Sequence, residues 1–285
     1  MTTTLSGSSL STFTAGDGDN LAVQDWPLHE GQPLRGVVVL VHGLGEHAGR
    51  YAHVAHRLNA WGFAVRGYDQ YGHGESGGVR GALPVMTRLI DDLTDIVEST
   101  RSRMPDGLPL ILLGHSMGGL VAACFVALRK RPIQGLVLSS PALNPGLNPL
   151  QKVLVSVLPR LAPNLTVGNG LKPQFISHDP DVVKAYLADP RVHDRISARL
   201  ARFIAEGGAM VVGRAAKWKL PTLLMYAGAD RLVNPQGSRD FADGAPPEVV
   251  TTRCFDGLYH EIFNEPAAQA EPVFSQLKDW LDARF

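Results

Sequence analysis

The chain has 285 residues, 45% of them hydrophobic, and its 27 lysine and arginine residues balance its 27 aspartate and glutamate residues. This composition is typical of a globular protein, with enough residues for one large core or for a core with an insertion. The zero net charge argues against a nucleic-acid partner and against a polybasic membrane-binding role. No apolar run approaches the roughly 18 residues that are needed to span a bilayer.

The amino-terminal segment and the cysteines indicate where the protein works. Met1 to Thr14 contains no lysine or arginine and no continuous apolar block, so we predict no secretory signal. Cys124 and Cys254 each lie within an apolar pattern, and two cysteines do not make a disulfide framework. We therefore expect a cytoplasmic protein.

The first half of the chain alternates between strand and helix patterns. Two short runs, Ser11–Ala15 and Leu21–Asp25, flank a turn-forming segment and predict an antiparallel hairpin. The alternation that follows is typical of βαβ units and a parallel sheet. The predicted strands are Gly36–Val41, Phe63–Asp69, Leu108–Leu113 and Ile133–Ser139, and the predicted helices are Tyr51–Trp61, Pro84–Arg103 and Leu120–Leu128.

The alternation stops after Pro141. Residues 144–217 carry helical patterns and no obvious strand, and their apolar residues from Leu147 to Leu161 recur at steps of three and four. That stripe has two interpretations: packing of the segment onto the core, or an apolar wall that faces lipid.

The alternation resumes near the carboxyl end. The predicted elements there are the strands Thr222–Ala227 and Val249–Phe255 and the helices Pro235–Ala242 and Pro266–Phe285. We therefore predict an α/β fold with a mostly parallel central sheet flanked by helices. Residues 1–143 and 218–285 form this core, and residues 144–217 are inserted as a helical cap.

One motif, Gly114-His115-Ser116-Met117-Gly118, lies between an apolar strand and an apolar helix. Gly-x-Ser-x-Gly in that context holds a serine on a sharp turn with its hydroxyl exposed, and its glycines let the strand and the helix approach closely. The Met117 amide at the helix N-terminus can face a developing oxyanion. We predict Ser116 as a nucleophile; the alternative is a serine that only caps the helix.

A second match to the motif, Gly74-Glu75-Ser76-Gly77-Gly78, precedes no helical pattern. We interpret Ser76 as a loop residue for that reason.

A serine hydroxyl needs a base, usually a histidine oriented by a carboxylate. On sheets of this kind the order is Ser, then Asp or Glu, then His, each just past the carboxyl end of a strand. Asp230 and His260 satisfy both conditions, and His260 alone among the ten histidines has the late position. The rival carboxylate is Asp256, which precedes the histidine by only four residues.

The second oxyanion donor is expected in the loop after an early strand. His42-Gly43-Leu44-Gly45 occupies that place, and the Leu44 amide is the predicted donor; the alternative is a plain glycine turn. The chain has no His-Glu-x-x-His motif and its cysteines are far apart, so we expect no metal and no cofactor.

Several motifs together resemble the α/β-hydrolase superfamily and, within it, the monoacylglycerol lipase family. They fall in the family order and cover residues 40–285. The matching segments are His42–Tyr51, Gly72–Gly78, Gly114–Gly119, Gly228–Val233 and Tyr259–Glu265. Tyr71 departs from the pattern, because the family often has a basic residue there.

The resemblance implies an α/β-hydrolase fold and a catalytic triad of Ser116, Asp230 and His260, with the amides of Leu44 and Met117 as the oxyanion hole. It also implies that Glu46 and Arg50 hold a glycerol head group, although they could simply pair with each other. Tyr186 resembles a cap tyrosine that reaches toward the glycerol.

The expected activity is hydrolysis of a monoacylglycerol to glycerol and a free fatty acid through an acyl-enzyme. One alternative is a broader carboxylesterase or a lysophospholipase, and another is a catalytically silent ligand-binding protein. The expected partner is a small lipid ester, with transient contact between the cap and a membrane surface left open.

Overall fold

The computed structural model describes residues 7–285. Met1–Ser6, and the side chains of Leu150 and Leu154 in the predicted apolar stripe, lie outside the described residues. The strands are β1 (Ser9–Thr14), β2 (Asn20–Trp26), β3 (Gly36–Val41), β4 (Phe63–Tyr68), β5 (Leu110–His115), β6 (Gly135–Ser139), β7 (Thr166–Gly168), β8 (Arg195–Ser197), β9 (Thr222–Ala227) and β10 (Val250–Phe255). The helices are α1 (Ala52–Ala60), α2 (Arg88–Arg101), α3 (Ser116–Ala127), α4 (Pro149–Leu161), α5 (Pro180–Ala188), α6 (Ala198–Gly213), α7 (Gln236–Gly244) and α8 (Ala267–Asp282).

A mostly parallel sheet organises the molecule. Within the described residues it has eight strands in the order β1-β2-β4-β3-β5-β6-β9-β10. The hairpin of β1 and β2 joins the sheet antiparallel to β4, and the other neighbours are parallel. This confirms the predicted α/β fold and the predicted hairpin.

Both faces of the sheet are covered, which explains why its central strands are continuous apolar runs. Every residue of β3, β5 and β9 is buried. Alternate residues point to opposite faces, so Val39 and Leu112 pack on the side of α2, α3, α6 and α7, whereas Leu40 and Leu113 pack on the side of α1 and α8.

Residues 144–217, the segment predicted to be a helical cap, contain a short two-stranded sheet that the sequence did not predict. β7 and β8 pair antiparallel, with Thr166 opposite Ser197. The expectation of no strand was wrong because three residues are too few for an alternating pattern to be recognised. The segment also contributes α6, which packs against α3 and α7 on the core.

Two boundaries differ from the predicted ones in an informative way. The predicted helix from Pro84 begins only at Arg88, because the residues before it form turns, one of them closed by a hydrogen bond from Arg88 N to Val85 O. A turn of 3-10 helix (Ala48–Tyr51) precedes α1. Among the described residues, no helix is both long and apolar enough to cross a membrane.

Candidate active site

Ser116 occupies a strained turn at the carboxyl end of β5. The strand ends at His115, α3 begins at Ser116, and Ser116 has a φ of 53°. That left-handed conformation costs a non-glycine residue energy and persists only where the surroundings impose it. The close packing is visible at Gly118, where a Cβ would lie 2.1 Å from the Val41 carbonyl oxygen. The strand-turn-helix context predicted for Ser116 is therefore present.

His260 and Asp230 are held together beside this turn. His260 Nδ1 lies 2.6 Å from Asp230 Oδ2, which allows the ring N–H to donate to the carboxylate. The other carboxylate oxygen accepts hydrogen bonds from the amides of Leu232 and Val233, at 2.8 and 3.0 Å. Asp230 is thus fixed at both oxygens, and it orients the imidazole so that Nε2 is free for another partner. Ser116 and His260 line the same cavity.

The protonation states of this pair are set by burial and by mutual attraction. Burial disfavours the charged form of His260, but attraction and hydrogen bonding to the Asp230 carboxylate, together with the nearby Glu261 and Glu46 carboxylates, outweigh it and raise the pKa of His260 above its usual 6.5. Burial likewise opposes ionisation of Asp230, and attraction to His260 outweighs it and lowers the pKa of the carboxyl group. Asp230 therefore stays ionised near neutral pH.

This pKa shift predicts an acid limb in the pH profile of the reaction. A base must be neutral to accept a proton, so activity falls as the pH drops through the raised pKa of His260. We expect kcat/KM to decline on the acid side with a midpoint above pH 6.5. Steady-state kinetics between pH 5 and pH 9 on a neutral ester would measure it; a midpoint well below 6.5 would contradict the pairing with Asp230.

The predicted oxyanion loop is braced from inside by Glu46. Its Oε1 accepts hydrogen bonds from the Gly43 amide at 2.5 Å and from the Tyr51 hydroxyl at 2.6 Å. Gly45 has a φ of 79°, and a Cβ there would lie 2.3 Å from the His193 carbonyl oxygen. Glycine is therefore required at this position, and the backbone of His193 rests directly on the loop that carries the Leu44 amide.

Arg50 joins this loop to the loop that carries His260. Its guanidinium lies 2.5 Å from Glu46 and binds Glu261 through two contacts of 2.7 Å each. It also stacks over the Tyr186 ring, 4.8 Å from the ring centre. Burial opposes ionisation of Glu46, but the attraction of Arg50, with smaller contributions from neighbouring groups that include the Tyr51 hydroxyl, outweighs it and lowers the pKa of Glu46 to about 2. The pairing of Glu46 with Arg50, one of the two alternatives from the sequence, is present.

Two functional neighbours were missed by the sequence reasoning. Glu261 directly follows His260, and its two contacts with Arg50 hold the loop that carries His260 in place. In the sequence, its place in the Tyr259–Glu265 motif could have indicated this role. The His115 ring lies 4.7 Å from the His260 ring, and its Nδ1 is 3.1 Å from Ser139 Oγ. Burial and the neighbouring His260 lower the pKa of His115 to about 4, so it is a neutral wall of the site. In the sequence, the position of His115 within the Gly-x-Ser-x-Gly motif could have indicated that it borders the site.

The rival residues are engaged elsewhere. Ser76 Oγ accepts a hydrogen bond from the Ala22 amide at 2.8 Å and donates one to the Asp69 carbonyl at 2.5 Å, as a loop residue would. Asp256 contacts the Cys254 thiol at 3.2 Å, whereas it is Asp230 that contacts His260. Within residues 7–285, no group of three or more His, Cys, Asp or Glu side chains is placed to hold a metal ion.

Two cavities meet at Ser116. The first, of about 220 Å³, is bordered by apolar side chains together with polar and charged ones, which include Glu46, Tyr186 and Asp194; we call it the polar cavity after these groups. The second, of about 380 Å³, is bordered mainly by apolar side chains that include Leu147 and Ile204. Both cavities are lined by Leu44, Ser116, Asn169, Leu171 and Leu232. Arg50 is not among the lining residues of either, because its guanidinium is directed at carboxylates.

Comparison with known proteins places this geometry in a family. Residues 32–267 match the hydrolase family model described as serine aminopeptidase, S33. The chain is 40% identical over 250 residues to a monoacylglycerol lipase of Mycolicibacterium smegmatis, a match that covers 87% of this chain and 88% of the relative.

Two solved structures are similar over nearly their whole length. The Paleococcus ferrophilus monoacylglycerol lipase is 37% identical with a TM-score of 0.82, and the match covers 93% of this chain and 99% of that one. A soluble variant of the Saccharomyces cerevisiae monoglyceride lipase in complex with a substrate analog is 25% identical with a TM-score of 0.87, covering 99% and 97%. The chain therefore belongs to the serine aminopeptidase S33 family of hydrolases and, among the α/β-hydrolases, to the monoacylglycerol lipase family.

Proposed function

We propose that the protein is a serine hydrolase that cleaves the ester of a monoacylglycerol to glycerol and a free fatty acid. The observation that carries the proposal is the position of Ser116 at the junction of two cavities, of which the first has carboxylates and the Tyr186 hydroxyl in its wall and the second is bordered mainly by apolar side chains. A monoacylglycerol has the matching division, because its ester carbonyl separates a diol from an acyl chain. The names of the similar proteins support the same substrate class.

In the proposed reaction His260 takes the proton of the Ser116 hydroxyl as its oxygen attacks the ester carbonyl. The amides of Leu44 and Met117 donate to the oxyanion of the tetrahedral intermediate. The bond to glycerol then breaks, His260 gives the proton to the departing glycerol oxygen, and an acyl-enzyme remains. Water, deprotonated by His260, attacks that ester and releases the fatty acid, and the proton returns to Ser116. Asp230 stabilises the charged imidazole in both steps.

The polar cavity is the proposed glycerol site. Glu46 and Tyr186 both line it, and they supply an acceptor and a hydroxyl for a diol. We propose that Arg50 acts behind them as a positioning residue, since its guanidinium is bound by Glu46 and Glu261 and covers the Tyr186 ring.

The mainly apolar cavity is the proposed acyl site, and we propose that residues 144–217 serve as a cap over it. Side chains of this segment, among them Leu147, Ile196 and Ile204, supply much of its wall. The segment also exposes apolar side chains on its outer surface. They include Val153, Val157, Leu161, Leu165 and Val167. Such a surface supports transient contact with a lipid surface, and the expected cytoplasmic location stays a prediction.

The substrate assignment is tested by comparing three esters. We expect high turnover of a long-chain monoacylglycerol, lower turnover of a short-chain nitrophenyl ester, and little of a triacylglycerol, whose additional chains the small polar cavity cannot admit. Tyr186→Phe is expected to raise the KM for the monoacylglycerol by roughly threefold to tenfold, as the loss of one hydrogen bond would. The nitrophenyl ester, which carries no diol, is the matched control and its kinetics should not change.

The same panel separates the alternatives. Turnover of the short ester alone would indicate a general carboxylesterase, and preference for a lysophospholipid would assign the polar cavity to a phosphate head group. Lack of reaction with a serine-directed fluorophosphonate would leave only a ligand-binding role.

A further inference from the structure

A cavity of about 680 Å³ lies near the amino ends of the strands, whereas Ser116 lies at their carboxyl ends. It lies between the turn after α3, residues 128–133, and the segment before β9, residues 214–220. β6 and β9 begin just beyond these segments, so the groove is at the amino ends of the strands, whereas Ser116 follows a carboxyl end. We call it the basal groove. Nothing in the proposed reaction uses it.

The basal groove concentrates positive charge in a chain whose net charge is zero. Five of its lining residues are cationic and none is acidic. The five, all exposed, are Arg129, Arg131, Arg214, Lys217 and Lys219. Like charges that line one concave surface repel one another and focus a positive potential there.

Two of the five have partners that account for their position. Arg131 forms an ion pair with Glu98. Arg214 Nη1 donates to the Ala127 carbonyl at 2.8 Å, as a cation at the C-terminus of a helix commonly does. Arg129, Lys217 and Lys219 form no ion pair with any residue in the described range 7–285. Three cations are thus left for an anion from solution.

The floor of the groove is apolar and rigidly held. Trp218 is 4% exposed and Ile133 is 8% exposed, and both line the groove. The Trp218 ring packs edge-on against Phe241, 4.9 Å between ring centres, and its Nε1 donates to Thr222 Oγ1 at 2.8 Å. The ligand should therefore join an apolar or aromatic part to several negative charges.

We propose that the basal groove binds a small phosphate-bearing molecule of the nucleoside di- or triphosphate class. The phosphates would be bound by Arg129, Lys217 and Lys219, and the base or sugar would lie against the apolar floor. A soluble ligand is favoured over a lipid head group because the groove is concave and lies at the amino ends of the strands, on the side of the molecule opposite Ser116. A bilayer on that side could not also deliver ester to the proposed cap.

The test is calorimetric titration of the full-length protein with ATP, pyrophosphate and adenosine at low and moderate salt. ATP and pyrophosphate should bind, and adenosine should bind at least roughly tenfold more weakly because it lacks the charge-assisted contacts. The double variant Lys217→Glu with Lys219→Glu should weaken ATP binding by roughly tenfold or more. Hydrolysis of a neutral ester by this variant should match that of the wild type.

A matched control is Arg103→Glu with Arg253→Glu, which makes the same charge change at two exposed residues outside the groove. It should bind ATP like the wild type. The proposal is overturned if neither ATP nor pyrophosphate binds the wild type, or if both double variants lose affinity equally. Binding only to phosphatidylglycerol vesicles, abolished by the groove variant, would instead assign the groove to lipid head groups.

Discussion

Replacing Ser116 with alanine should lower the turnover of a long-chain monoacylglycerol by about 10⁴- to 10⁶-fold and leave the fold intact. The large loss is expected because the nucleophilic oxygen is removed, and only oxyanion stabilisation and substrate binding remain. The fold should survive because a backbone hydrogen bond at this position is kept. The Ser116 carbonyl accepts it from the Ala142 amide at 2.9 Å, and this bond does not depend on the side chain. Measurement of kcat would test the loss of turnover, and thermal unfolding curves of the variant and the wild type would test whether the fold is intact.

The chain offers its own control for this experiment. Ser76 lies in the second Gly-x-Ser-x-Gly match, and its hydroxyl is bonded to the Ala22 amide and the Asp69 carbonyl. Ser76→Ala should therefore cost about 1 kcal/mol of stability and leave turnover unchanged. Near wild-type turnover by Ser116→Ala, or a collapse of turnover in Ser76→Ala, would remove Ser116 from the proposed mechanism.

The turn that holds Ser116 was predictable from the sequence because its surroundings are local. The apolar strand, the motif and the apolar helix are contiguous, and the strain that shows as a positive φ follows from that succession. The proximity of Asp230 and His260 to Ser116 was predictable from their order, since each follows one of the parallel strands β5, β9 and β10, whose carboxyl ends lie on the same side of the sheet.

The bracing of the site could not be read from the sequence in the same way. Arg50 and Glu261 are 211 residues apart, and no periodicity brings them together. The sequence offered either a head-group role or a pairing role for Glu46 and Arg50. The structure contains the pairing, and the glycerol contact stays a prediction.

The short sheet of β7 and β8 was missed for a different reason. Its pairing is non-local, and each strand is stabilised by the other strand and by contacts with the core, such as the hydrogen bond from Ser197 N to Gly81 O at 2.8 Å. The basal groove could not be predicted from the sequence because its cations come from two segments some 80 residues apart, which only the fold brings together. In each case the missing information was a tertiary contact, not a local propensity.

Replacing Asp230 with asparagine should lower kcat by about 10⁴-fold without disrupting the core. The carboxylate holds the His260 ring through Nδ1. In the proposed reaction it also compensates the charge that the ring acquires when it takes the Ser116 proton. An amide of nearly the same shape keeps the volume but supplies no charge, and its NH₂ group can favour the tautomer with the proton on Nε2, which cannot act as a base toward Ser116.

The same substitution should move the acid limb of the pH profile in a defined direction. Influences of opposite sign act on the pKa of His260: burial lowers it, whereas attraction and hydrogen bonding to Asp230, with smaller contributions from Glu261 and Glu46, raise it. Without the carboxylate the burial remains, so the pKa of His260 should fall and the residual activity of Asp230→Asn should persist to lower pH than that of the wild type. A structural role for Asp230 would reduce kcat without moving this midpoint.

Asp256→Asn is the control, because Asp256 is the rival carboxylate, four residues before His260, but it contacts the Cys254 thiol. It should retain kcat and the pH midpoint of the wild type. If Asp256→Asn instead lost activity and shifted the acid limb while Asp230→Asn did not, the carboxylate of the triad would have to be reassigned. Both asparagine variants remove one negative charge from a loop at the carboxyl ends of the strands, so a difference between them reports the buried contact that Asp230 makes with His260 and that the exposed Asp256 does not make.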